Sequence, residues 1–337
     1  MNEADIQGIK TVLQTPKNIV IIPHRNPDGD AIGSTLALWH YLKKGQHNAT
    51  IIAPNDYPEF LKWMPGENEI VKFDYEKDRA KEILNDANVI FTLDFNDLSR
   101  IGDMATTVSD CKATFIMIDH HQQPSDYAKF MYSDTSMSST CEMVYNFISY
   151  LGDEALINAE MATCMYTGIM TDTGSFRFKA TTSTTHRIIA NLMDKGAENA
   201  SIHNEIYDTN RLSRLQLLGC ALKNLVVLEA YSTVYITISK DELVRYDFKK
   251  GDTEGFVNYG LSLKGIKFAA IFIENLQEPY VKMSLRSKGD FSVNEFARAH
   301  FNGGGHTNAA GGRSDDSMEK TIEKFIKILP AYKEELS

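Results

Sequence analysis

Four stretches of this 337-residue chain place chemically capable side chains directly after apolar runs. IVIIPHRNPDGDAIGS (19–34) puts His24, Asp28 and Asp30 within seven positions, and NVIFTL (88–93) is followed by Asp94. ATFIMI (113–118) is followed by Asp119, His120 and His121, and the apolar segment CMYTGIMT by Asp172. Gathered at one edge, these aspartates and histidines would repel one another and would have their carboxyl pKa values pushed up. A multivalent cation removes that conflict. Carboxylates with imidazoles and no thiolate suit Mn2+ first, with Mg2+, Fe2+, Co2+ and Zn2+ also compatible. Six ligands exceed what one catalytic ion needs and suffice for two when a carboxylate bridges them. Two ions roughly 3.5–4 Å apart can clamp the attacking and leaving oxygens of a phosphoryl transfer. Taken singly, each residue also has an ordinary structural use. Asp-Gly-Asp makes a turn and a helix N-cap, His24 a hydrogen-bonded core histidine, Asp94 a cap, and Asp172 a turn. Their recurrence after successive apolar runs favours the chemical reading.

The second half carries a different motif, RAHFNGGGHTNAAGG. Gly303, Gly304 and Gly305 let backbone N–H groups approach an anion, and His306 and Asn308 add side-chain donors. Arg286, at the end of PYVKMSLRS, has a planar fork suited to phosphate. Together they read as a phosphate or nucleotide clamp.

The elements that must position these residues are legible from hydrophobic pattern. NIVIIP (18–23), ATIIA (49–53), NVIFTL and ATFIMI are continuous apolar runs, as expected of parallel strands buried on both faces. Between the first two, Asp30 to Lys44 carries an apolar stripe (Ile32, Leu36, Trp39, Leu42) and ends Lys43-Lys44-Gly45. Ser139-Thr-Cys-Glu142 has capping-box spacing before MVYNFISYLG. The alternation predicts an α/β fold with an N-terminal doubly wound, mainly parallel sheet, whose carboxyl edge would collect the aspartates and histidines. TTHRIIANLMDKG and RLSRLQLLGCALKNLVVLE read as a helical connector. STVYITIS (232–239), KFAAIFIE (267–274) and PYVKMSLRS (279–287) then read as strands of a smaller α/β domain, closed by an amphipathic helix. The expected division is 1–186, a connector over 187–229, and 230–337.

Composition bounds the partners. Hydrophobic residues make up 43% and charged residues 24%, ordinary for a globular chain with two cores. The net charge of −10 argues against long duplex nucleic acid, where affinity comes from phosphate neutralisation. A local excess of seven Lys/Arg over four Asp/Glu between Leu263 and Arg313 leaves room for a small anion. The apolar runs are strand-length, so no membrane partner is expected. The polar N-terminus reads as no signal peptide. Cys111, Cys141, Cys164 and Cys220 lie apart in apolar contexts, as expected of small core residues in a reducing compartment, and the cytoplasm is the expected location.

In order, His24-x-x-x-Asp28-x-Asp30, Asp94, Asp119-His120-His121 and Asp172 resemble the four motifs of the DHH phosphoesterase family, and FNGGGHTNAAGG resembles the signature of the DHHA1 domain that follows in one of its branches. The resemblance covers nearly the whole chain. By length and domain order the chain is similar to the stand-alone branch that degrades very short RNAs and dephosphorylates 3′-phosphoadenosine 5′-phosphate (pAp). RecJ-type exonucleases are longer, and the cyclic-dinucleotide phosphodiesterases carry membrane and sensor segments. The resemblance implies that His24 and Asp28 hold a first Mn2+, that Asp30, His120 and Asp172 hold a second, and that Asp94 bridges them. It implies that Asp119 orients its neighbours and that His121 faces the scissile phosphate as stabiliser or proton donor. Arg286 and Gly303 to His306 would grip the rest of a short single-stranded RNA or nucleotide. Asp97, Arg100 and Arg177 receive no role.

Two other readings compete. A pyrophosphatase or short-chain polyphosphatase has a similar two-metal site, but that branch carries a lysine- and arginine-rich signature in place of GGGH. A non-catalytic nucleotide-binding module would be expected to have lost ligands. Self-association as a homodimer through first-domain helices is compatible with the pattern but not specified by it.

Overall fold

The computed structural model describes residues 1–336 and divides the chain into two compact units, Met1–Thr209 and the segment from Asn210 onward. In the first unit, β1 (Asn18–Pro23), β2 (Asn48–Ala53), β3 (Val71–Lys72), β4 (Val89–Leu93), β5 (Thr114–Asp119) and β6 (Phe130–Ser133) form one sheet. The strand order is β3-β2-β1-β4-β5-β6, and every neighbouring pair is parallel. Successive side chains alternate between two apolar layers. Ile19 and Ile21 of β1 face one core and Val20 and Ile22 the other, which explains why the strands read as unbroken apolar runs. Each such buried isoleucine contributes about 1.5–3 kcal/mol relative to exposure.

The eight helices of this unit are α1 (Glu3–Leu13), α2 (Gly29–Lys44), α3 (Lys77–Asn85), α4 (Met104–Ser109), α5 (Thr140–Tyr150), α6 (Ala159–Asp172), α7 (Ser183–Asp194) and α8 (Asn199–Tyr207). Ile32 and Leu36 of α2, Phe147 of α5 and Ile169 of α6 fill the core on one face of the sheet; Leu84 of α3 and Met104 of α4 fill the other. Helices α2 and α6 approach closely because small residues meet at their crossing. A Cβ at Gly33 would lie 2.5 Å from the Cys164 carbonyl oxygen, and one at Gly168 would lie 2.1 Å from Cys141 Sγ. Cys141 and Cys164 are buried there, Cys111 and Cys220 are half-buried elsewhere, and all four are free thiols.

The second unit begins with α9 (Leu212–Lys223) and contains β7 (Val226–Leu228), β8 (Thr233–Ile238), β9 (Phe268–Glu274), β10 (Val281–Ser287), β11 (Gly304–His306) and β12 (Ala309–Ser314). They form a sheet in the order β11-β12-β10-β9-β8-β7, in which only β8 and β9 pair in parallel. Short helices α10 (Lys240–Arg245) and α11 (Phe256–Leu261) accompany α12 (Val293–His300) and α13 (Met318–Ile328). An aromatic cluster of Phe268, Phe272, Phe296 and Phe325 seals one face. The segment LVVLE does not continue a helix. Helix α9 stops at Lys223, where Asn224 Nδ2 donates to the Thr237 carbonyl (3.0 Å), and β-branched Val226 and Val227 pair with β8 as an edge strand. No described helix is long and apolar enough to cross a membrane.

Candidate active site

The parallel order of the first sheet changes direction at β1. The chain passes from β1 to β2 on one side, and β4 takes its place on the other, so the carboxyl ends of β1 and β4 flank a switch-point crevice. Pro23 and Leu93 are in register there, and the next residues are His24 and Asp94. Asp119 ends β5, and His120 and His121 follow it. Asp28 is the N-cap of α2, accepting from the N–H groups of Asp30 and Ala31 at 3.1 Å each, and Asp30 lies in the first turn. Asp172 differs from the expected pattern, because it is the last residue of a helix, α6, and follows no strand. The segment is apolar all round because α6 is buried, so its period gave no helical stripe.

The loop that carries the first three residues is pinned from both neighbours. The Arg25 N–H donates to the Arg100 carbonyl (2.8 Å). Asn26 N–H donates to Asn55 Oδ1 (2.7 Å), and Asn55 Nδ2 donates back to Asn26 Oδ1 (2.9 Å). Asp94 has a φ of 65°, in the left-handed region that a residue with a side chain seldom occupies, and its N–H donates to the Ile118 carbonyl (3.1 Å).

The side chains converge. His24 Nε2 lies 3.5 Å from Asp94 Oδ2 and 3.9 Å from Asp28 Oδ2. His120 Nε2 lies 3.5 Å from Asp94 Oδ1, 3.5 Å from Asp172 Oδ2 and 3.9 Å from Asp30 Oδ2. His121 Nδ1 lies 2.7 Å from Asp119 Oδ1 and 3.7 Å from Asp94 Oδ1. Backbone carbonyls fix two of the rings. His24 Nδ1 faces the Arg25 carbonyl (2.9 Å) and His120 Nδ1 faces that of Met137 (3.2 Å). A carbonyl only accepts, so Nδ1 carries a proton in both, and Nε2, on the carboxylate side, is the atom available to a cation. That is the tautomer a metal-ligating histidine needs.

The electrostatics are those of an overcrowded acidic site. Burial raises the Asp30 carboxyl well above its ordinary range, with the Asp94 and Asp172 charges adding to it. Burial likewise pushes Asp172 up to about 6. Asp94 goes the other way: burial opposes its ionisation, but the interactions with His120 and His24 outweigh that and hold it well below the usual carboxylate range. His24 and His120 are raised although burial alone would lower them, because Asp94 favours their charged forms.

These residues fit divalent cations. His24, Asp28 and Asp94 offer one ligand atom each, all within 4.8 Å of one another, and so do Asp30, His120 and Asp172, and Asp94, Asp119 and His121. Among the described residues, the only charged partners of these five carboxylates within 4 Å are the three histidines. Asp119 Oδ2 is buried with no hydrogen-bond partner. Five carboxylates, three of them (Asp30, Asp94 and Asp119) buried, against three imidazoles leave a charge deficit that cations would fill.

In the second unit, Arg286 lies on β10 opposite Ala269 and Ala309, and its Nη1 donates to the Leu285 carbonyl (3.0 Å). The glycine-rich motif is not a free loop. Gly304 to His306 form β11, paired with β12. The Gly305 N–H is taken by Asn294 Oδ1 (2.9 Å), so that donor is engaged within the fold. A Cβ at Gly303 would lie 2.0 Å from the Gly311 carbonyl oxygen, and Gly305, at φ 153°, would meet the Ala309 carbonyl oxygen at 2.4 Å. Asn308 Nδ2 binds Ser287 Oγ and the Gly289 carbonyl, both at 2.9 Å. Arg177 follows Asp172 in a turn in which Gly174, Ser175 and Phe176 all have positive φ, and its Nε donates to the Gly174 carbonyl (2.7 Å).

Thr140 belongs to the first unit's cluster although its sequence reads only as part of a helix start. Its Oγ1 donates to Asp94 Oδ1 (3.0 Å) and its N–H to Asp30 Oδ2 (2.6 Å). The Asn26–Asn55 pair was equally invisible, since neither residue announces its partner.

Comparison with known proteins agrees with this geometry. Residues 18–169 match the DHH family, N-terminal domain, and residues 230–335 match the DHHA1 domain. The bifunctional oligoribonuclease and PAP phosphatase NrnA of Thermus thermophilus is 31% identical over 325 residues, covering 95% of this chain and 90% of the relative. The protein of the same name from Bacillus subtilis is 29% identical over 297 residues, with 87% and 88% covered. The crystal structure of an exopolyphosphatase-related protein from Bacteroides fragilis superposes with a TM-score of 0.95 at 40% identity, covering 99% of this chain and 98% of that one. The motif order, the acidic crevice at the sheet's switch point and these likenesses lead to one conclusion: the chain belongs to the DHH phosphoesterase family, carries both its DHH and DHHA1 domains, and is a phosphodiesterase/phosphatase-type hydrolase.

Proposed function

We propose that this hydrolase cleaves short oligoribonucleotides and linear dinucleotides to mononucleotides and converts pAp to AMP, using two divalent cations, Mn2+ first among them. The observation that carries the reading is Asp94, whose Oδ2 faces His24 while its Oδ1 faces His120. A carboxylate whose two oxygens serve two histidine groups is placed to bridge two ions. His24 and Asp28 would hold one and Asp30, His120 and Asp172 the other. When bound, the pair would acidify a water and neutralise charge developing on phosphorus oxygens. Asp119 holds the His121 ring through Nδ1 and would orient it toward the substrate's phosphate or leaving oxygen. Arg286, His306 and the glycine arm would bind the remainder of a nucleotide, with residues 1–186 as the catalytic domain, 187–229 as connector and 230–337 as the substrate domain. The names of the NrnA relatives support this substrate class, and the acidic net charge favours short substrates over long duplexes; the expected location is the cytoplasm.

A second reading has one observation behind it, the exopolyphosphatase-related name of the Bacteroides fragilis structure. A panel of pAp, the dinucleotide pGpG, a short RNA ladder, a cyclic dinucleotide, pyrophosphate and short polyphosphate in Mn2+ separates the two. Release of AMP and mononucleotides is expected. Turnover confined to pyrophosphate or polyphosphate would replace the proposal with the second reading.

A further inference from the structure

The first turn of α5 and the segment just before it reach three of the residues in the crevice, although none of their side chains belongs to the family's metal motifs. The Thr140 and Cys141 N–H groups donate to the two oxygens of Asp30, at 2.6 and 2.8 Å. The Thr140 hydroxyl donates to Asp94 Oδ1 at 3.0 Å. Just before the helix, the Met137 carbonyl fixes the His120 ring at 3.2 Å. Two of the four N–H groups that a helix leaves unpaired at its start are therefore spent on a buried carboxylate, which the helix dipole also favours.

The turn is itself anchored. Ser139 caps it by accepting from the Glu142 N–H (3.0 Å). The Glu142 carboxylate, 3% exposed, does not complete the reciprocal capping box. Its Oε2 accepts instead from Ser138 Oγ and from Thr185 Oγ1 (3.0 Å), tying the start of α5 to the first turn of α7. Thr140 is fully buried, and it is the residue that touches both Asp30 and Asp94.

We infer that Thr140 is a positioning residue for the two-metal site, with its hydroxyl setting which lone pairs of Asp94 remain for ions. By donating to Oδ1 it occupies one acceptor direction on that oxygen and holds the carboxylate plane. Asp94, in a strained backbone conformation, then presents Oδ2 toward His24 and the remaining Oδ1 lone pair toward His120. The N–H of the same residue fixes Asp30, so one side chain and its own backbone set the bridging carboxylate and a terminal one together. Hydrogen-bond partners of this kind cost roughly 10- to 100-fold in metal affinity or activity when removed.

The inference rests on the two-metal reading, and the test separates their failures. Mn2+ binding to purified wild type, Thr140→Val and Thr140→Ser is measured by titration followed through the EPR signal of free Mn2+, alongside melting temperature and kcat and KM at saturating metal. Val keeps the shape and loses the hydroxyl; Ser keeps the hydroxyl and loses the methyl. The expected result is at least a roughly tenfold weaker Mn2+ affinity and a lower kcat with KM unchanged in Thr140→Val, with Thr140→Ser close to wild type. If Val fails to fold, Thr140→Ala takes its place against Ser. Wild-type affinity in the hydroxyl-free variant, or equal loss in Ser and Val, would overturn the inference and assign Thr140 to packing. A wild-type protein that binds no Mn2+ would instead remove the two-metal reading beneath it.

Discussion

The two sheets present their chemistry in opposite ways. In the first unit the reactive groups are buried: Asp30, Asp94, Asp119, His120 and His121 are each less than a tenth exposed, at the carboxyl edge of an all-parallel sheet. In the second unit Arg286, Gly303, Gly304, Gly305 and His306 are all half-buried, around an antiparallel hairpin at the sheet's end. A buried carboxylate cluster carries a large desolvation cost and must be held by many partners, so any single loss propagates. A half-buried arginine on a strand carries little such cost, and its loss stays local. The first region should respond to substitution as a unit, the second residue by residue.

The sharpest way to break that contrast is Asp94→Ala. If Asp94 bridges two ions, turnover should fall by about 10^3-fold or more, the scale on which a single preorganised electrostatic group acts, and bound Mn2+ should fall with it. Near-wild-type kcat would leave the first region no more cooperative than the second. Arg286→Ala is the counterpart, expected to raise KM for pAp or dinucleotides about tenfold, as for one lost charge-assisted hydrogen bond of about 1.5 kcal/mol. Metal content should be unchanged, and loss of bound metal in that variant would count against separate roles for the two units.

Acidity gives a third, smaller test. Asp172 has a folded value of about 6, above its ordinary 3.8, so metal-free protein loses stability as pH rises between those values and carries the full deficit above 6. His120 is also raised, so its contribution is complete below its ordinary 6.5 and is lost as pH rises through its folded value. Both act in the same direction. Asp94, held low, contributes stability above its ordinary 3.8 that is lost only in stronger acid. Chelator-treated protein should therefore melt several degrees higher at pH 5.5 than at pH 7.5. The stabilisation by added Mn2+ should be larger at pH 7.5, because binding needs these groups deprotonated. A metal-free melting temperature that rises with pH across this interval would contradict the electrostatic picture. The smallest effect concerns the glycines. A Cβ at Gly304 would have no neighbour closer than 3.5 Å, and its φ lies outside the left-handed region, so Gly304→Ala should change stability by no more than about 0.5 kcal/mol. Gly303→Ala, aimed at a backbone oxygen 2.0 Å away, should lower the melting temperature clearly. Equal tolerance at both positions would show that the backbone approach at Gly303 is not what requires glycine there.

Much of the first region was legible because parallel strands buried on both faces leave unbroken apolar runs, and three of those runs end beside an ionisable residue. The fold class and the convergence of His24, Asp94 and His120 follow from that. Asp172 was grouped with these residues without an element to carry it, since a buried helix and a buried strand share the same continuous apolar composition; it ends α6. Strand β3, at two residues, and β6, at four, are too short to show a period. Thr140 carried the signal of a helix start, but nothing local tells which distant carboxylates the freed N–H groups will meet. In the second region the glycine run read as an anion clamp, but Gly303 and Gly305 are demanded by backbone oxygens of β12 that lie several residues further along the chain, which no local pattern shows.

Helix α6 packs against α5 as well as α2, and this fixes the residue at position 168. The atom that a Cβ at Gly168 would strike first is Cys141 Sγ, and the next is Asp30 Oδ1, at 2.9 Å. Positions 141 and 168 therefore share a single small volume beside Asp30. Shrinking 141, as in Cys141→Ala, would remove the Sγ conflict but leave Asp30 Oδ1 at 2.9 Å and the residue-141 Cβ at 3.0 Å. The Asp30 carboxylate therefore also sets the size of its neighbour, and position 168 should stay glycine wherever that carboxylate keeps this orientation.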